Sequence, residues 1–469
     1  MAITRRQFIW RSLGALGAAT LGFERFGLVQ ALAQSRDYKA LVCIFLFGGN
    51  DAGNMIIPYD DYADYAAVRQ SAGLAIPQSN LLPIDVPRLG SRFALHPSLT
   101  GLQQLWLQGK LATVCNVGPL IEPTSRDTYI NGTAHLPLNL FSHSDQQNQW
   151  QTSVANGTGS SGWGGRTADR IANQNSSALP AILSVAGTPI FVSGQSELPL
   201  ALAPAPTVPN ATLKLDGFPN PPDNDARYIA LQNLLEEDHN VTLVRGASRV
   251  TMNGFDAADT LRQVPDPAVP PFPLNPRTSL GNQLEQVAKL ISLRESLGMN
   301  RQLFFCSLGG FDTHFNQVNN GSPTTGTQAN LLTQIDGAMK AFYDATVALG
   351  VASQVVTFTL SDFSRTFVPN GNLGTDHAWG SHHFVMGGSV IGGDFYGVAG
   401  SNGTVFPTLA PNGPDDTDQG SSARGRWIPT TSVDQYGATL ASWFGVSSSD
   451  LPAVFPNIGT FNQSTLSFL

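Results

Sequence analysis

Three apolar segments of the sequence each run into an aspartate. The pairs are Leu41–Phe47 with Asp51, Leu303–Leu308 with Asp312, and Val355–Leu360 with Asp362. Carboxylates that lie close together repel each other unless they share protons or a cation. Because only 13% of the residues are charged, three aspartates in the same kind of position indicate a common partner. A metal ion is the simplest such partner.

Histidines are concentrated beside these aspartates. Of the eight histidines, four lie in Asp312-Thr-His314 and Asp376-His377-Ala-Trp-Gly-Ser-His382-His383, and His143 lies in FSHSDQQNQWQ. Carboxylate oxygens together with imidazole nitrogens suit Zn, Mn or Fe. A single histidine taken alone is more commonly a hydrogen-bonded core or loop residue, so the prediction of a metal or polar catalytic site depends on the whole set.

The positions of the cysteines exclude thiolate ligands. Cys43, Cys115 and Cys306 each lie inside an apolar segment that is typical of a buried strand. We therefore predict that they are small buried side chains and that they form neither a metal cluster nor a disulfide framework.

A serine at a predicted helix start is the candidate nucleophile. Ser142 precedes the pattern HSDQQNQWQ, where it can cap free amides and where a helix N-terminus stabilises an anion. A hydroxyl bound to a divalent cation at such a place can attack phosphorus or sulfur. Ser125 is the competing candidate. His143 and Arg365 complete the predicted catalytic residues, although Arg365 is as well suited to pairing with Asp362 as to binding an oxyanion.

Alternating strands and helices must position these residues. The predicted strands are Leu41–Phe47, Leu111–Val117, Ala181–Val185, Leu303–Leu308, Val355–Leu360 and His383–Val390, and the clearest helical patterns are Leu284–Leu293 and Leu331–Leu349. This order predicts an α/β fold with a largely parallel central sheet and helices on both faces. In such sheets ligand sites form beyond the carboxyl ends of the strands, which is where the aspartates fall.

Length and charge narrow the organisation and the partners. The 469 residues suit one large domain or two smaller ones. Between 198 and 276 the sequence is rich in proline, which indicates an insertion within a single domain over 34–469. The net charge of -8 and the lack of a basic cluster after the first residues argue against nucleic acid as a partner.

The first 33 residues have the pattern of an export signal. Thr4-Arg5-Arg6-Gln7-Phe8-Ile9 matches the twin-arginine pattern, a short apolar segment follows, and Ala31-Leu32-Ala33 offers a cleavage site. The alternative is a buried N-terminal helix. The segment is too short to span a membrane comfortably. We expect the twin-arginine translocase to export the folded protein to the periplasm or beyond, with no stable membrane span.

The order of the motifs resembles a known family. LFGGNDAGNMIIPYD, FSHSDQQNQWQ, GWGGR, GGFDTHFNQ, LSDFSRT and GTDHAWGSHHFVMGG occur in this order from about Leu41 to Gly393. Together with the twin-arginine leader they resemble the exported bacterial domain-of-unknown-function family 1501. That family is grouped with the alkaline phosphatase-like superfamily, which includes phosphatases, sulfatases and metal-dependent phosphomutases.

The resemblance implies two neighbouring metal sites. Carried over, Asp51 is the ligand after the first strand and Ser142 is the metal-bound nucleophile. Asp312, His314 and His377 are the ligands of one metal, Asp362 belongs to the other, and His143 or Asp376 completes it. The sequence departs from the superfamily pattern in two respects. Phe363 stands where a histidine follows Asp362, and Asp312 and His314 are closer together than usual. Alternatively, one metal or none binds.

The leading hypothesis is an exported hydrolase of phosphate or sulfate esters that uses one or two divalent ions, with Zn, Mn, Mg and Ca as candidates. Its substrate would be a small-molecule or polysaccharide ester. The second hypothesis is a non-catalytic exported binding protein with a vestigial metal site. The third is a redox or cofactor-carrying protein, since the twin-arginine route often exports folded proteins that carry cofactors.

Overall fold

The computed structural model describes residues 38–469 except for 212–217, 220–221, 223, 238–240, 266, 268, 270–271, 273 and 275–276. The expected leader at 1–33 therefore lies outside the described residues, as do parts of the expected insertion at 198–276. Within the described residues, no helix is both long enough and apolar enough to cross a membrane.

A mixed sheet forms the centre of the fold. Its strands are β1 (Lys39–Phe47), β5 (Leu111–Gly118), β6 (Ile182–Ser184), β7 (Leu200–Ala201), β8 (Arg301–Gly309), β9 (Val355–Ser361), β10 (Ser381–Gly387), β11 (Phe395–Tyr396) and β12 (Thr431–Ser432). Their spatial order is β11-β5-β10-β9-β1-β8-β6-β7, with β12 also paired to β5. Strand β1 is central and parallel to both neighbours, β8 and β9, so the carboxyl ends of these three strands meet at one edge.

Strand β10 runs in the opposite direction. It is antiparallel to both β5 and β9, whereas β5 is parallel to β11 and β12. As a consequence, the segment before β10, and not the segment after it, lies at the edge where β1, β8 and β9 end. This segment contains Asp376 and His377.

A second, smaller sheet lies between β1 and β5 in the sequence. It consists of β2 (Ile56–Pro58), β3 (Leu82–Val86) and β4 (Ser91–Leu95), in the order β2-β4-β3 with antiparallel pairing. The sequence analysis did not predict it, because its strands are short and only partly apolar.

Helices cover both faces of the central sheet. They are α1 (Ala52–Met55), α2 (Tyr62–Arg69), α3 (Thr100–Leu107), α4 (Arg126–Ile130), α5 (His143–Thr152), α6 (Trp163–Ile171), α7 (Ala226–Glu236), α8 (Thr242–Arg262), α9 (Ser279–Ser292), α10 (Thr327–Ala348), α11 (Val433–Phe444) and α12 (Leu451–Val454). Side chains alternate across a strand. Accordingly, Val42 and Ile44 of β1 pack in one core cluster with α9 and α10, whereas Cys43 and Phe45 pack in another with α6 and α11.

The predicted α/β fold, with its largely parallel sheet and helices on both faces, is confirmed. All six predicted strands and both predicted helices are present, with ends that differ by a few residues. Cys43, Cys115 and Cys306 are free and buried, and burial raises the pKa of Cys43 and Cys115 well above its usual range. They are therefore thiols packed in the core.

Candidate metal centre

The carboxylate of Asp312 lies at the centre of a group of three imidazoles. Its Oδ1 atom is 3.1 Å from Nε2 of His314, 3.3 Å from Nε2 of His143 and 3.6 Å from Nε2 of His377. Asp312 and His314 follow β8, His143 is the first residue of α5, and His377 precedes β10. The four side chains thus come from three distant parts of the chain.

Each imidazole is fixed through its other ring nitrogen. Nδ1 of His143 is 2.6 Å from Oδ2 of Asp362, Nδ1 of His314 is 3.0 Å from Oδ1 of Asp376, and Nδ1 of His377 is 2.7 Å from the carbonyl oxygen of Phe141. A carbonyl or an ionised carboxylate can only accept a hydrogen bond. Each Nδ1 therefore carries the proton, and in the neutral imidazoles each Nε2 presents a lone pair to Asp312.

This arrangement has the chemistry of a metal site. The Nε2 atoms of His314 and His377 are 2.9 Å apart, and two lone pairs at that distance repel unless a proton or a cation lies between them. The Nε2 atom of His143 is buried and makes no hydrogen bond within the part of the chain that the structure describes. Ligand atoms of His143, Asp312 and His377 all lie within 4.8 Å of one another. Imidazoles that ligate a metal usually donate their second N–H to a carboxylate or a carbonyl, so the residues fit a cation.

The pKa shifts of the two aspartates favour their anionic form. Burial raises the pKa of Asp312, but the hydrogen bond and charge of Arg365, with the charges of His143 and His314, outweigh burial and lower it. Burial also opposes ionisation of Asp376, and hydrogen bonds from Asn370, His314 and Arg424 lower its pKa to about 2. Both groups are therefore carboxylates at neutral pH.

The pKa shifts of two histidines have opposite signs. The hydrogen bond to Asp362 raises the pKa of His143, whereas burial lowers that of His377. The imidazole of His377 is therefore neutral, and able to bind a metal, down to a lower pH than the imidazole of His143. His143 stays protonated on both ring nitrogens up to a higher pH.

Asp362 and Asp376 were both predicted as metal ligands. In the structure, each accepts a hydrogen bond from Nδ1 of a histidine of the centre, His143 and His314 respectively. Besides His143, Oδ2 of Asp362 accepts a hydrogen bond of 2.8 Å from Gln147, while its buried Oδ1 has no partner among the described residues. Asp376 binds Asn370 and Arg424 as well as His314. Gln147, Asn370 and Arg424 were missed by the sequence analysis, because no feature of their local sequence distinguishes them from surface polar residues.

Asp51 lies apart from the imidazoles in a buried ion pair. Its carboxylate accepts two hydrogen bonds from Arg69, at 2.6 and 3.0 Å, and one of 2.6 Å from Gln317. It also accepts a bond from the backbone N–H of Gly53 at the start of α1. Both Asp51 and Arg69 are almost wholly inaccessible to solvent. Asp51 was predicted to bind metal; the structure shows its oxygens already bound by a guanidinium and an amide.

Arg365 binds the aspartate at the centre of the group. Its buried guanidinium donates to Oδ1 of Asp312 at 2.8 Å and to the carbonyl oxygen of Gly48 at 3.2 Å. The two alternatives for Arg365 were an oxyanion of the substrate and Asp362. The structure shows a third partner, Asp312.

The two candidate nucleophiles lie in different surroundings. Ser142 directly precedes His143, and its hydroxyl donates to Oδ2 of Asp145 at 2.6 Å. Ser125 caps α4 and lines a cavity of about 700 Å³ with Asn412 and Asp415. Of the two serines, Ser142 is therefore the one joined in sequence to a side chain of the metal centre.

Phe363 packs against the imidazoles from one side. Its ring centroid is 4.7 Å from that of His143 and 4.7 Å from that of His377. A Cβ atom on Gly49 would come within 2.6 Å of the same ring. The ring therefore fills the space beside the imidazoles of His143 and His377.

One family model matches the chain. Residues 229–406 match the family described as "Protein of unknown function (DUF1501)", which supports the predicted resemblance over that part of the chain. The matched part is shorter than the predicted stretch from Leu41 to Gly393. It contains Asp312, His314, Asp362, Arg365, Asp376 and His377, and it leaves out Asp51, Ser142 and His143.

The search of curated proteins finds no match. Among solved structures, the chain is similar to the crystal structure of Ps i-CgsB in complex with k-i-k-neocarrahexaose, with 9% identity, 90% of this chain and 76% of that chain covered, and a TM-score of 0.32. It is also similar to the lipoteichoic acid synthase LtaP from Listeria monocytogenes, with 7% identity, 88% and 74% coverage and a TM-score of 0.30.

Proposed function

We propose that the protein is an exported metal-dependent hydrolase of phosphate or sulfate esters. One observation carries the proposal: the Nε2 atoms of His143, His314 and His377 converge on one oxygen of Asp312 while every Nδ1 is held by an acceptor. The ester class comes from the resemblance to the alkaline phosphatase-like superfamily.

The donor set favours one transition-metal ion. Three imidazoles and one carboxylate suit zinc, or Mn or Fe, whereas Mg and Ca prefer sites made of oxygen atoms. The oxygens of Asp51 and one oxygen of Asp362 are bound to other side chains. We therefore propose one ion in place of the two that the superfamily pattern implies.

Cationic side chains around the centre suit an anionic substrate. The chain has a net charge of -8, yet three arginines contact residues of the centre. Arg365 binds Asp312, and Arg424 binds Asp376. Arg426 binds the carbonyl oxygen of His377. A bound cation would add Lewis-acid polarisation of an ester oxygen. The guanidinium groups favour the approach of a phosphate or sulfate group electrostatically.

Ser142 is the proposed nucleophile. Its hydroxyl hydrogen points to Asp145, and this hydrogen bond lowers the pKa of Asp145. A carboxyl with a lowered pKa is a weak base. Asp145 therefore orients the hydroxyl, and it removes the proton only when the developing charge on the oxygen is stabilised at the centre.

The substrate that we propose carries a sugar. Phe315 directly follows His314, and this residue is 65% exposed. An exposed ring at such a place can pack on the apolar face of a sugar. We expect Phe315→Ala to raise KM for sugar sulfate or phosphate esters several-fold and to leave turnover of small aryl esters unchanged. Equal effects on both substrate classes would contradict this assignment.

The central experiment measures metal content and hydrolysis in the same preparation. The purified protein, loaded with zinc or manganese, is assayed with 4-nitrophenyl phosphate and 4-nitrophenyl sulfate. We expect Asp312→Ala to remove the metal and to lower the rate at least 100-fold. Asp344→Ala is the matched control, because Asp344 pairs with Lys340 on the outer face of α10. A metal-free wild-type protein, or full activity of Asp312→Ala, would refute the proposal.

A non-catalytic binding protein is the second candidate. The observation that favours it is Phe363, whose ring stands where the superfamily pattern has a metal-binding histidine. The same experiment separates the two candidates: tight metal binding without turnover of any ester supports the binding protein.

Export and domain organisation remain proposals. We propose that residues 1–33 direct twin-arginine export to the periplasm or beyond, which a fusion of this segment to a folded reporter tests, with Arg5→Lys/Arg6→Lys as control. We also propose a single domain over 34–469. In its support, the central sheet contains both β1, near the start of this range, and β12, near its end, together with β5 to β11.

A further inference from the structure

A buried glutamine lies three residues after His314. Gln317 is inaccessible to solvent, and its amide makes four hydrogen bonds. Nε2 donates to Oδ2 of Asp51 at 2.6 Å and to Oε1 of Gln328 at 3.0 Å. Oε1 accepts from the hydroxyls of Thr375 at 2.6 Å and Thr313 at 3.0 Å. Two donors and two acceptor sites are all that an amide has, so every one is used.

Two of these partners belong to the segments that carry the metal centre. Thr313 lies between Asp312 and His314, and Thr375 directly precedes Asp376 and His377. The backbone joins the same two segments, because the N–H of Thr375 donates to the carbonyl oxygen of Thr313 at 3.1 Å. Gln317 therefore connects the segment after β8 with the segment before β10.

Arg365 adds a second connection between these segments. Its guanidinium donates to the carbonyl oxygen of Thr375 at 2.5 Å and to Oδ1 of Asp312 at 2.8 Å. The hydroxyl of Thr375 thus binds Gln317 while its carbonyl oxygen binds the arginine that holds the central carboxylate.

The other two partners of Gln317 are fixed to the body of the fold. Asp51 is held by Arg69, and Gln328, in the first turn of α10, donates to the carbonyl oxygen of Asp51 at 2.8 Å. Asp51, Arg69 and Gln328 are all buried. This end of the network consequently has little freedom to move.

We propose that Gln317 is a positioning residue that sets the distance between the segment of Asp312 and His314 and the segment of His377. The inference rests on the proposed metal centre. Ligand atoms must be held within about 0.5 Å for tight binding. Neither segment belongs to a strand, and the backbone of His377 forms an isolated bridge with Arg365. Asp51, which the sequence suggested as a ligand, acts as the anchor of this network.

The experiment titrates zinc ions alone into the metal-free full chain and follows the heat of binding. Thr375→Val removes the hydroxyl and keeps the shape, so we expect the zinc Kd to rise at least tenfold. Thr375→Ser restores the hydroxyl and should bind zinc like the wild type. Gln317→Leu should weaken binding at least as much as Thr375→Val. The visible spectrum of the cobalt-loaded protein should change in both weakened variants, as it reports ligand geometry.

Gln302→Leu is the matched control. Gln302 is also a buried glutamine, but it binds Tyr38 at the opposite end of β8. We expect this variant to lose thermal stability and to keep its zinc affinity. Wild-type affinity in Thr375→Val or Gln317→Leu overturns the positioning inference and leaves the metal centre standing. A wild-type protein that binds no zinc, manganese or iron instead refutes the metal centre itself.

Discussion

The three histidines of the centre share one tautomer, with the proton on Nδ1, but differ in the group that accepts the hydrogen bond from this nitrogen. His143 and His314 donate to carboxylates, and His377 donates to the backbone carbonyl of Phe141. Phe141 has a positive φ of 71°, which is rare for a residue with a large side chain. Unfavourable backbone conformations of this kind concentrate at functional sites. This local geometry aims the carbonyl oxygen at His377.

The first prediction concerns the carboxylate that holds His143. Asp362→Asn removes a negative acceptor and weakens the fixed orientation of the ring, so we expect zinc affinity to fall about 10- to 100-fold. The hydrogen bond to Asp362 is the main cause of the raised pKa of His143. Its loss lowers that pKa, and the acidic limb of the pH profile of zinc binding should move to lower pH. Calorimetric titration between pH 5 and 8 measures both effects.

Asp434→Asn is the control for Asp362→Asn. Asp434 is another buried aspartate, but it binds Ser432 and the backbone N–H of Asn457 at the start of α11. Zinc affinity should be unchanged in this variant. If Asp362→Asn bound zinc as tightly as the control, Asp362 would have no part in orienting His143.

At the scale of elements, the turn after β1 allows the strand ends to approach each other. Gly48 has a φ of 113° and Gly49 a φ of 82°, conformations that glycine adopts readily and other residues rarely. A Cβ atom on Gly48 would collide with the backbone nitrogen of Asp312. Besides forming the turn, Gly48 is therefore needed for close packing against the segment after β8, and Gly49 for close packing against Phe363 after β9.

The second prediction compares two glycines with positive φ. Gly48→Ala should lower zinc affinity at least tenfold, because Asp312 must move to make room for the methyl group. Gly90→Ala is the control: the φ of Gly90 is 64°, and no atom of a described residue lies within 4 Å of the added Cβ. Both variants should lose about 1 kcal/mol of stability from the backbone conformation alone. Equal zinc affinities in the two would show that Asp312 is not displaced.

The strands themselves were predictable, and their directions were not. Continuous runs of apolar residues identify β1, β5, β8 and β9 because both faces of these strands are covered by helices. No local signal shows that β10 is antiparallel, since direction depends on the path of the chain between strands. Because β10 is antiparallel, its amino end lies at the edge of the metal centre, and His377, which precedes the strand, reaches the centre. His382 and His383 lie within β10 and are buried.

At the scale of the whole molecule, the buried histidines of β10 connect stability to pH. Burial lowers the pKa of both His382 and His383 to about 3. Between that value and the pKa of about 6.5 in the unfolded chain, the unfolded state binds more protons than the folded state. Their contribution to stability is therefore complete above pH 6.5 and is lost as the pH falls towards 3.

The third prediction quantifies this loss. From pH 7 to pH 5 the free energy of unfolding should fall by about 2 kcal/mol for each of the two histidines. His382→Asn keeps an acceptor for the backbone N–H of Asn116, which His382 binds through Nδ1. From pH 7 to pH 5, the free energy of unfolding of this variant should fall by about 2 kcal/mol less than that of the wild type. Urea titrations at the two pH values measure both changes. An identical loss in both proteins would mean that His382 is charged in the folded state.

Residue types and their spacing were enough to predict the α/β fold, the buried cysteines and a cluster of aspartates and histidines at the sheet edge, because burial and ligand chemistry are visible in the local sequence. The tertiary structure was needed to assign partners. Asp51 and Asp312 follow similar strands, but only Asp51 lies within reach of Arg69 on α2. Asp362 and Asp376, which were predicted to be ligands, contact imidazole N–H groups. These partners lie between 18 and 219 residues apart in the sequence, so the packing of the whole chain decides which group each carboxylate oxygen meets.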